Sequence, residues 1–294
     1  MSRKAKVLDR TRLAELPLPE HGGEASKADK GKLLIVAGSA SLPGAAILAA
    51  RAALRVGCGT VRVASPRCVA VAIGVAVPEL MVLALPETDA GTAAEDALKV
   101  LEEQYERCQA AVIGPGLGSH EETDRLAARF VAESPLPTVV DASALLAWGR
   151  AGHPGGPAAR VLTPHAGEMA ELAGLGPDEI EADREGLATR LARQWRSTLI
   201  LKGPRTLIAG RELYANTAGT PGLGTAGSGD ALAGVIGGLL ARGAGPTAAA
   251  AWGVHLHALA GEAAAASRGD EGMMASDVVE ALPDALRSLR GGRG

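Results

Sequence analysis

Blocks of aliphatic residues, each closed by glycine or a polar turn, recur along most of this chain. LLIVAG at 33–38 is one such block. Its apolar positions run on without polar alternation, which predicts a strand covered on both faces. A Gly/Ser/Pro loop follows and leads into AAILAARAALRVG, a helix pattern ended by Gly57. TVRVAS at 60–65 is the next strand. Strand, loop, helix and strand in that order form the βαβ signature of a parallel sheet.

The alternation continues. ELMVLALP predicts a strand, residues 93–105 a helix, and AAVIG at 110–114 a strand running into a glycine loop. Residues 124–132 predict a helix, and PTVVDA a strand whose end carries Asp141. RVLTPH at 160–165 is a strand ending in Thr-Pro-His, and helices run on to about Trp195. STLILKG is a further strand, and TLIAG with RELYAN predicts an antiparallel hairpin across Gly210-Arg211. Helices over 230–242, 246–266 and 276–290 complete the pattern. The fold class is therefore α/β, three layers, with a mostly parallel central sheet and helices on both faces. Residues 1–29 show little periodic apolar pattern and are taken as a lead-in to one domain over 30–294. In such sheets ligands bind outside the carboxyl ends of the strands, where the glycine-rich loops of this chain fall.

Composition narrows the choice of function. Hydrophobic residues make up 47% of the 294 and aromatics only 2%, so the core is aliphatic. The net charge of −3 and the scarcity of aromatics give neither the positive field nor the stacking surfaces of a nucleic-acid binder. Cys58, Cys68 and Cys108 show no CxxC or Cys/His cluster, which suits a reducing compartment and no structural zinc. The polar, basic start has no apolar signal core. Two uncharged stretches, 33–50 and 243–261, are broken by Gly, Pro, Ser or His and are read as strand–turn–helix and buried helix rather than membrane spans. A cytoplasmic location without membrane contact is expected.

The densest chemical signal is NTAGTPGLGTAGSGD at 216–230, just before an apolar helix. Glycines leave backbone N–H groups of the loop and of the first helical turn open to an anion at a helix start. Asp230 beside them suits a base for a hydroxyl about to be phosphorylated. Ser228 or Asp230 as a plain helix cap is the competing reading. The loop is not a Walker A motif. GPGLG at 114–118 is either a rigid ligand-facing loop or an ordinary turn. LTPHAGEMAEL places His165 and Glu168 after a strand end, as substrate and metal contacts or as solvated and dipole-favoured residues. Lys202 in LKGPRT meets a phosphate or the solvent. Asp141 either holds magnesium through water or caps the short helix at Ala144. His255 and His257 lie two apart on a helix, so a shared metal site is excluded and at least one is a buried core histidine.

Taken in order, KGKLLIVAGSASLPGAAILAARAALRVGCGTVRVAS, PELMV, IGPGLG, VVDASAL, LTPHAGE, LILKGPRT and AGSGDALAGVIGGLLARG resemble the nucleotide-dependent NAD(P)H-hydrate dehydratases, which have the ribokinase-like fold. The resemblance covers roughly residues 30–289. It implies a reaction in which ADP or ATP, with ADP favoured, drives removal of water from the S form of NADH or NADPH hydrate. The carbon-6 hydroxyl is phosphorylated and phosphate leaves. The resemblance assigns Asp230 as the base, and Ala45, Gly118 and His165 as further contacts to the hydrate. It gives Lys202, Gly203, Pro204, Arg205, Thr206 and Gly229 to the adenine nucleotide, and places Glu168 near a water-bridged Mg²⁺. The chain departs from the family pattern at Thr220, Ala226 and Ala166, none of them a reacting group. Some relatives carry an additional epimerase domain; thirty residues are too few for one, so a separate epimerase is expected to act on the same metabolite. A homo-oligomer, tetrameric by resemblance, is also implied. The rivals are a ribokinase-like small-molecule kinase and a non-catalytic dinucleotide-binding protein.

Overall fold

The computed structural model of the chain describes residues 4–19, 26, 27 and 29–290. Ten strands form one sheet: β1 (Lys6–Val7), β2 (Lys32–Val36), β3 (Thr60–Pro66), β4 (Met81–Leu85), β5 (Ala110–Ile113), β6 (Thr138–Val140), β7 (Arg160–Leu162), β8 (Thr198–Leu201), β9 (Thr206–Ala209) and β10 (Leu213–Asn216). Their spatial order is β1-β10-β9-β8-β7-β6-β5-β2-β3-β4. Only β9 runs against the rest: it pairs antiparallel with both β8 and β10, as the expected hairpin requires.

Each strand feeds both faces with a period of two. Leu33 and Ile35 of β2 enter one core, while Leu34 and Val36 enter the other. Ala110 and Val112 of β5 join the first, Ala111 and Ile113 the second. That explains why these strands read as unbroken apolar runs. The first core is covered mainly by α2 (Pro43–Arg55), α10 (Ser228–Ala241), α11 (Pro246–Arg268) and α12 (Ala275–Arg290). The second lies under α5 (Glu121–Glu133), α6 (Ala142–Arg150), α7 (Ala166–Ala173), α8 (Pro177–Ala182) and α9 (Arg184–Gln194). No helix among the described residues is long and apolar enough to cross a membrane.

Three local expectations change. Residues 93–105 fold as 3₁₀ turns around one short helix, α4 (Leu98–Glu102), because burying Ala97, Leu98 and Leu101 needs little more than a turn. Helix α3 (Arg67–Ala76) has no counterpart in the hydrophobic pattern, since its outer side carries Val71 and Val75, 79% and 76% exposed, and no amphipathic stripe shows. The segment taken as a lead-in adds an edge strand: β1 pairs with β10 through Lys6↔Tyr214 and Val7↔Ala215, and α1 (Arg10–Ala14) buries Leu13. Residues 1–3, 20–25 and 28 of that segment lie outside the described residues.

The chain leaves β2 for β3 and β4 on one side and returns to β5 on the other. The β2 and β5 ends are thus a topological switch point, where the crevice of an open α/β sheet falls. The loops before α2 and after β5 flank it.

Candidate active site

Several strand ends converge on one cation. Asp141 follows β6, Lys202 follows β8, and Glu168 stands in the first turn of α7. Lys202 Nζ lies 3.4 Å from Asp141 Oδ1 and 3.8 Å from Glu168 Oε2. Asp141 is 2% exposed and accepts a 2.5 Å hydrogen bond from Thr163 Oγ1. It is followed by Ala142 at φ 48, a left-handed backbone that side chains adopt at a cost. Burial opposes the charge on Lys202, but Asp141, Glu168 and Asp230 outweigh it and raise the ammonium above its ordinary pKa.

His165 caps α7. Its Nδ1 accepts from the N–H groups of Gly167 and Glu168 at 3.0 and 3.2 Å, while Glu168 Oε2 accepts from the His165 N–H at 2.8 Å. With Nδ1 accepting, a neutral ring carries its proton on Nε2. The capping role and a ligand-facing role are compatible, since His165 also lines the main cavity.

Helix α10 begins without a side-chain cap. Gly227 holds the N-cap position at φ 84, where a Cβ would also sit 2.4 Å from Leu48 Cδ1. Ser228 does not cap the helix. Its Oγ pairs at 3.1 Å with Nε2 of buried His257, whose pKa burial lowers to about 4. His255 is the second buried histidine, its Nδ1 2.8 Å from Asn216 Oδ1. The Ser228 N–H reaches Thr225 O at 3.3 Å. The N–H groups of Gly229 and Asp230 have no helical carbonyl four residues back.

Gly229 opens on a cavity of about 640 Å³, walled by His165, Lys202, Gly203, Pro204 and Thr206 and by the glycine-rich loop after β10. That loop is pinned from α11 and the turn beyond it. The Gly219 N–H donates to Glu262 Oε1 at 2.7 Å, and both the Thr220 hydroxyl and the Gly222 N–H donate to Asp270 Oδ1. Arg205 turns outward to Glu185 Oε1 at 2.7 Å and does not line the cavity.

Asp230 faces elsewhere. A Cβ on Gly234 would meet Ala49 O at 2.0 Å, and one on Gly238 would meet Ala53 O at 3.0 Å. The two helices therefore run parallel in contact, one pairing per turn of about four residues. The same spacing continued one turn toward the amino ends pairs Asp230 with the level of Ala45 on α2. The β5 loop closes on the same place: a Cβ on Gly116 would lie 2.6 Å from Ala45 Cβ, and one on Gly118 3.1 Å from Thr92 and 3.6 Å from Ser39 Oγ. None of Ala45, Gly118 and Asp230 lines the main cavity. Of this end of α10, Ser228, Gly229 and Leu232 line the cavity and Asp230 does not. Burial raises the Asp230 carboxyl to about 6, the Asp141 charge adds to the rise, and Lys202 opposes it. Sequence reasoning overlooked Thr163 as Asp141's partner; its position beside Pro164 at the end of β7 was the available signal.

Among the described residues, no group of three or more His, Cys, Asp or Glu is placed to hold a metal. Magnesium commonly keeps several waters and takes one or two carboxylates plus substrate phosphates, and Asp141 and Glu168 supply that number.

Fold and site together define a ribokinase-like α/β protein with an uncapped, glycine-rich helix start and a half-buried carboxylate in its first turn. Residues 33–284 match the NAD(P)H-hydrate dehydratase family, and the chain belongs to it. It is 40% identical over 290 residues to the ADP-dependent (S)-NAD(P)H-hydrate dehydratase of Xanthomonas campestris, covering 97% of this chain and 98% of that one. It is 43% identical over 276 residues, 92% of this chain, to the bifunctional NAD(P)H-hydrate repair enzyme of Moorella thermoacetica, but spans only 52%, about half, of that protein. The crystal structure of the ADP/ATP-dependent NAD(P)H-hydrate dehydratase of Bacillus subtilis, co-crystallised with ATP and Mg²⁺, superposes with a TM-score of 0.84 at 26% identity, covering 97% of this chain and 99% of that one.

Proposed function

We propose that this protein is an ADP-dependent (S)-NAD(P)H-hydrate dehydratase, a hydro-lyase of metabolite repair. The observation that carries the reading is Asp230, in the first turn of a helix that starts at Gly227 without a side-chain cap beside the main cavity, with its pKa raised to about 6. A carboxylate in that range is ionised at neutral pH and basic enough to take a hydroxyl proton.

In this reading the adenine nucleotide lies in the 640 Å³ cavity against Lys202, Gly203, Pro204 and Thr206, with Arg205 on the outer rim of the segment. The hydrated nicotinamide lies by Ala45, Gly118 and His165. Asp230 removes the carbon-6 hydroxyl proton while that oxygen bonds to the terminal phosphorus of ADP and the bond to AMP breaks. N–H groups of Gly227 and Gly229, with Lys202, hold the moving charge, while that of Ser228, grouped with them by the resemblance, is already given to Thr225 O. The ring nitrogen lone pair then expels phosphate, and loss of a proton from carbon 5 restores the dihydronicotinamide. Bound Mg²⁺ would neutralise phosphate charge, reached by Glu168 through water and by Asp141. A homo-oligomer and a cytoplasmic location belong to the same reading. They rest on the family resemblance and, for the compartment, on free Cys58, Cys68 and Cys108.

Incubation with hydrated NADH, Mg²⁺ and either ADP or ATP tests the proposal. Near-ultraviolet absorbance should recover in step with released phosphate. A stable phosphorylated product without recovered absorbance would establish the small-molecule kinase instead.

A further inference from the structure

The opposite rim of the sheet, where β7 and β8 begin, holds a second cavity of about 380 Å³. We propose that it binds a phosphate-bearing small molecule at a site separate from the catalytic cavity. Arg160, the first residue of β7, lines it and is 5% exposed. Its Nη1 donates to Pro154 O at 3.2 Å and its Nη2 to Trp195 O at 3.4 Å, but among the described residues its Nε has no hydrogen-bond partner and no carboxylate pairs with it. Burial lowers its pKa, yet a guanidinium keeps its proton at neutral pH. A buried cation with no counter-charge is costly, and an anion relieves it.

The rest of the wall is built for the same charge. Arg193, Arg196 and Arg211 line it, and no Asp or Glu does. Ser197 at the cavity has a buried hydroxyl without a partner among the described residues. The 23-residue helix α11 starts here with Gly245 at its N-cap, no capping side chain and Pro246 at its first position. Its remaining first-turn N–H groups, of Thr247 and Ala248, have no helical carbonyl to meet, and the helix dipole adds positive potential. Guanidiniums suit the many acceptor oxygens of a phosphate. The volume suits a phosphate with a small organic group rather than a dinucleotide. From Thr198 at this rim to Lys202 at the catalytic rim is roughly 13 Å along β8.

The test uses the full chain with AMP at saturation, so that the catalytic cavity is filled. Inorganic phosphate and glycerol phosphate are titrated by calorimetry and by thermal unfolding, with potassium chloride at equal ionic strength as control. One further phosphate equivalent per chain should bind and raise Tm. Tighter binding of one probe identifies free phosphate or a monoester as the source. The double variant Arg193→Ala/Arg196→Ala should bind at least tenfold more weakly, with AMP affinity and basal phosphate release unchanged. Arg160→Met should lose the phosphate dependence of Tm, with a Tm no lower than wild type in phosphate-free buffer. Absence of the second equivalent, unchanged affinity in the double variant, or an equal Tm rise with chloride would overturn the proposal.

Discussion

At Asp230, burial and the neighbouring Asp141 charge hold the proton on up to about pH 6, against an ordinary aspartate value of 3.8. The folded chain therefore binds more protons than the unfolded one between about pH 4 and 6. Stability falls as pH rises across that window, by on the order of 3 kcal/mol in full. This carboxylate is thus held at a cost to the fold, and two measurements follow. Asp230→Asn should lower hydrate-dependent phosphate release about 10²–10⁴-fold with ADP still binding. It should also raise Tm above pH 6 and leave it near wild type below pH 4; a lowered Tm at pH 7 would contradict the burial account. For the wild type, kcat/KM should climb with pH to a plateau above about 6. Lys202 opposes the rise at Asp230, so Lys202→Ala should move that limb to higher pH as well as weaken ADP binding.

Between elements, a close seam joins α2 to α10, the helix that carries Asp230. Gly234 is the point where the seam has no room, since a Cβ would fall 2.0 Å from Ala49 O. Gly234→Ala should cost about 1–3 kcal/mol in chemical unfolding and lower kcat as well, because the helices must part. Gly44, near the start of the same α2, has nothing within 4 Å of the place a Cβ would take. Gly44→Ala should therefore leave stability unchanged or raise it by about 0.4–1 kcal/mol. Equal losses at the two positions would show that the seam does not position the base.

Over the whole molecule, the amino-terminal segment ties distant parts together. β1 extends the sheet beside β10, Leu16 O accepts from Trp252 Nε1 of α11 at 2.7 Å, and Arg10 reaches Ser288 O and Leu289 O at the end of α12. Leu13, 1% exposed, is packed in the same core. Leu13→Ala should cost about 2–5 kcal/mol in unfolding while kcat at low temperature stays near wild type. The residues around the site were legible from the chain to different depths. Period-two burial and glycine-closed helices are local, so β2, β5, β6 and the start of α10 followed from the hydrophobic pattern, and with them the rim on which Asp230, His165 and Lys202 stand. A two-residue strand and the double-sided helix α3 carry no local period and were decided by what they pack against. Arg205 was assigned by its segment, but its side chain found Glu185 on α9. The chain alone marked Asp230 as a carboxylate at an anion-receiving helix start. Only the tertiary structure packed its helix along α2 and brought Asp141 and Lys202 into its field. A proton's affinity depends on burial and on the distances to other charges, and sequence order specifies neither until the chain has folded.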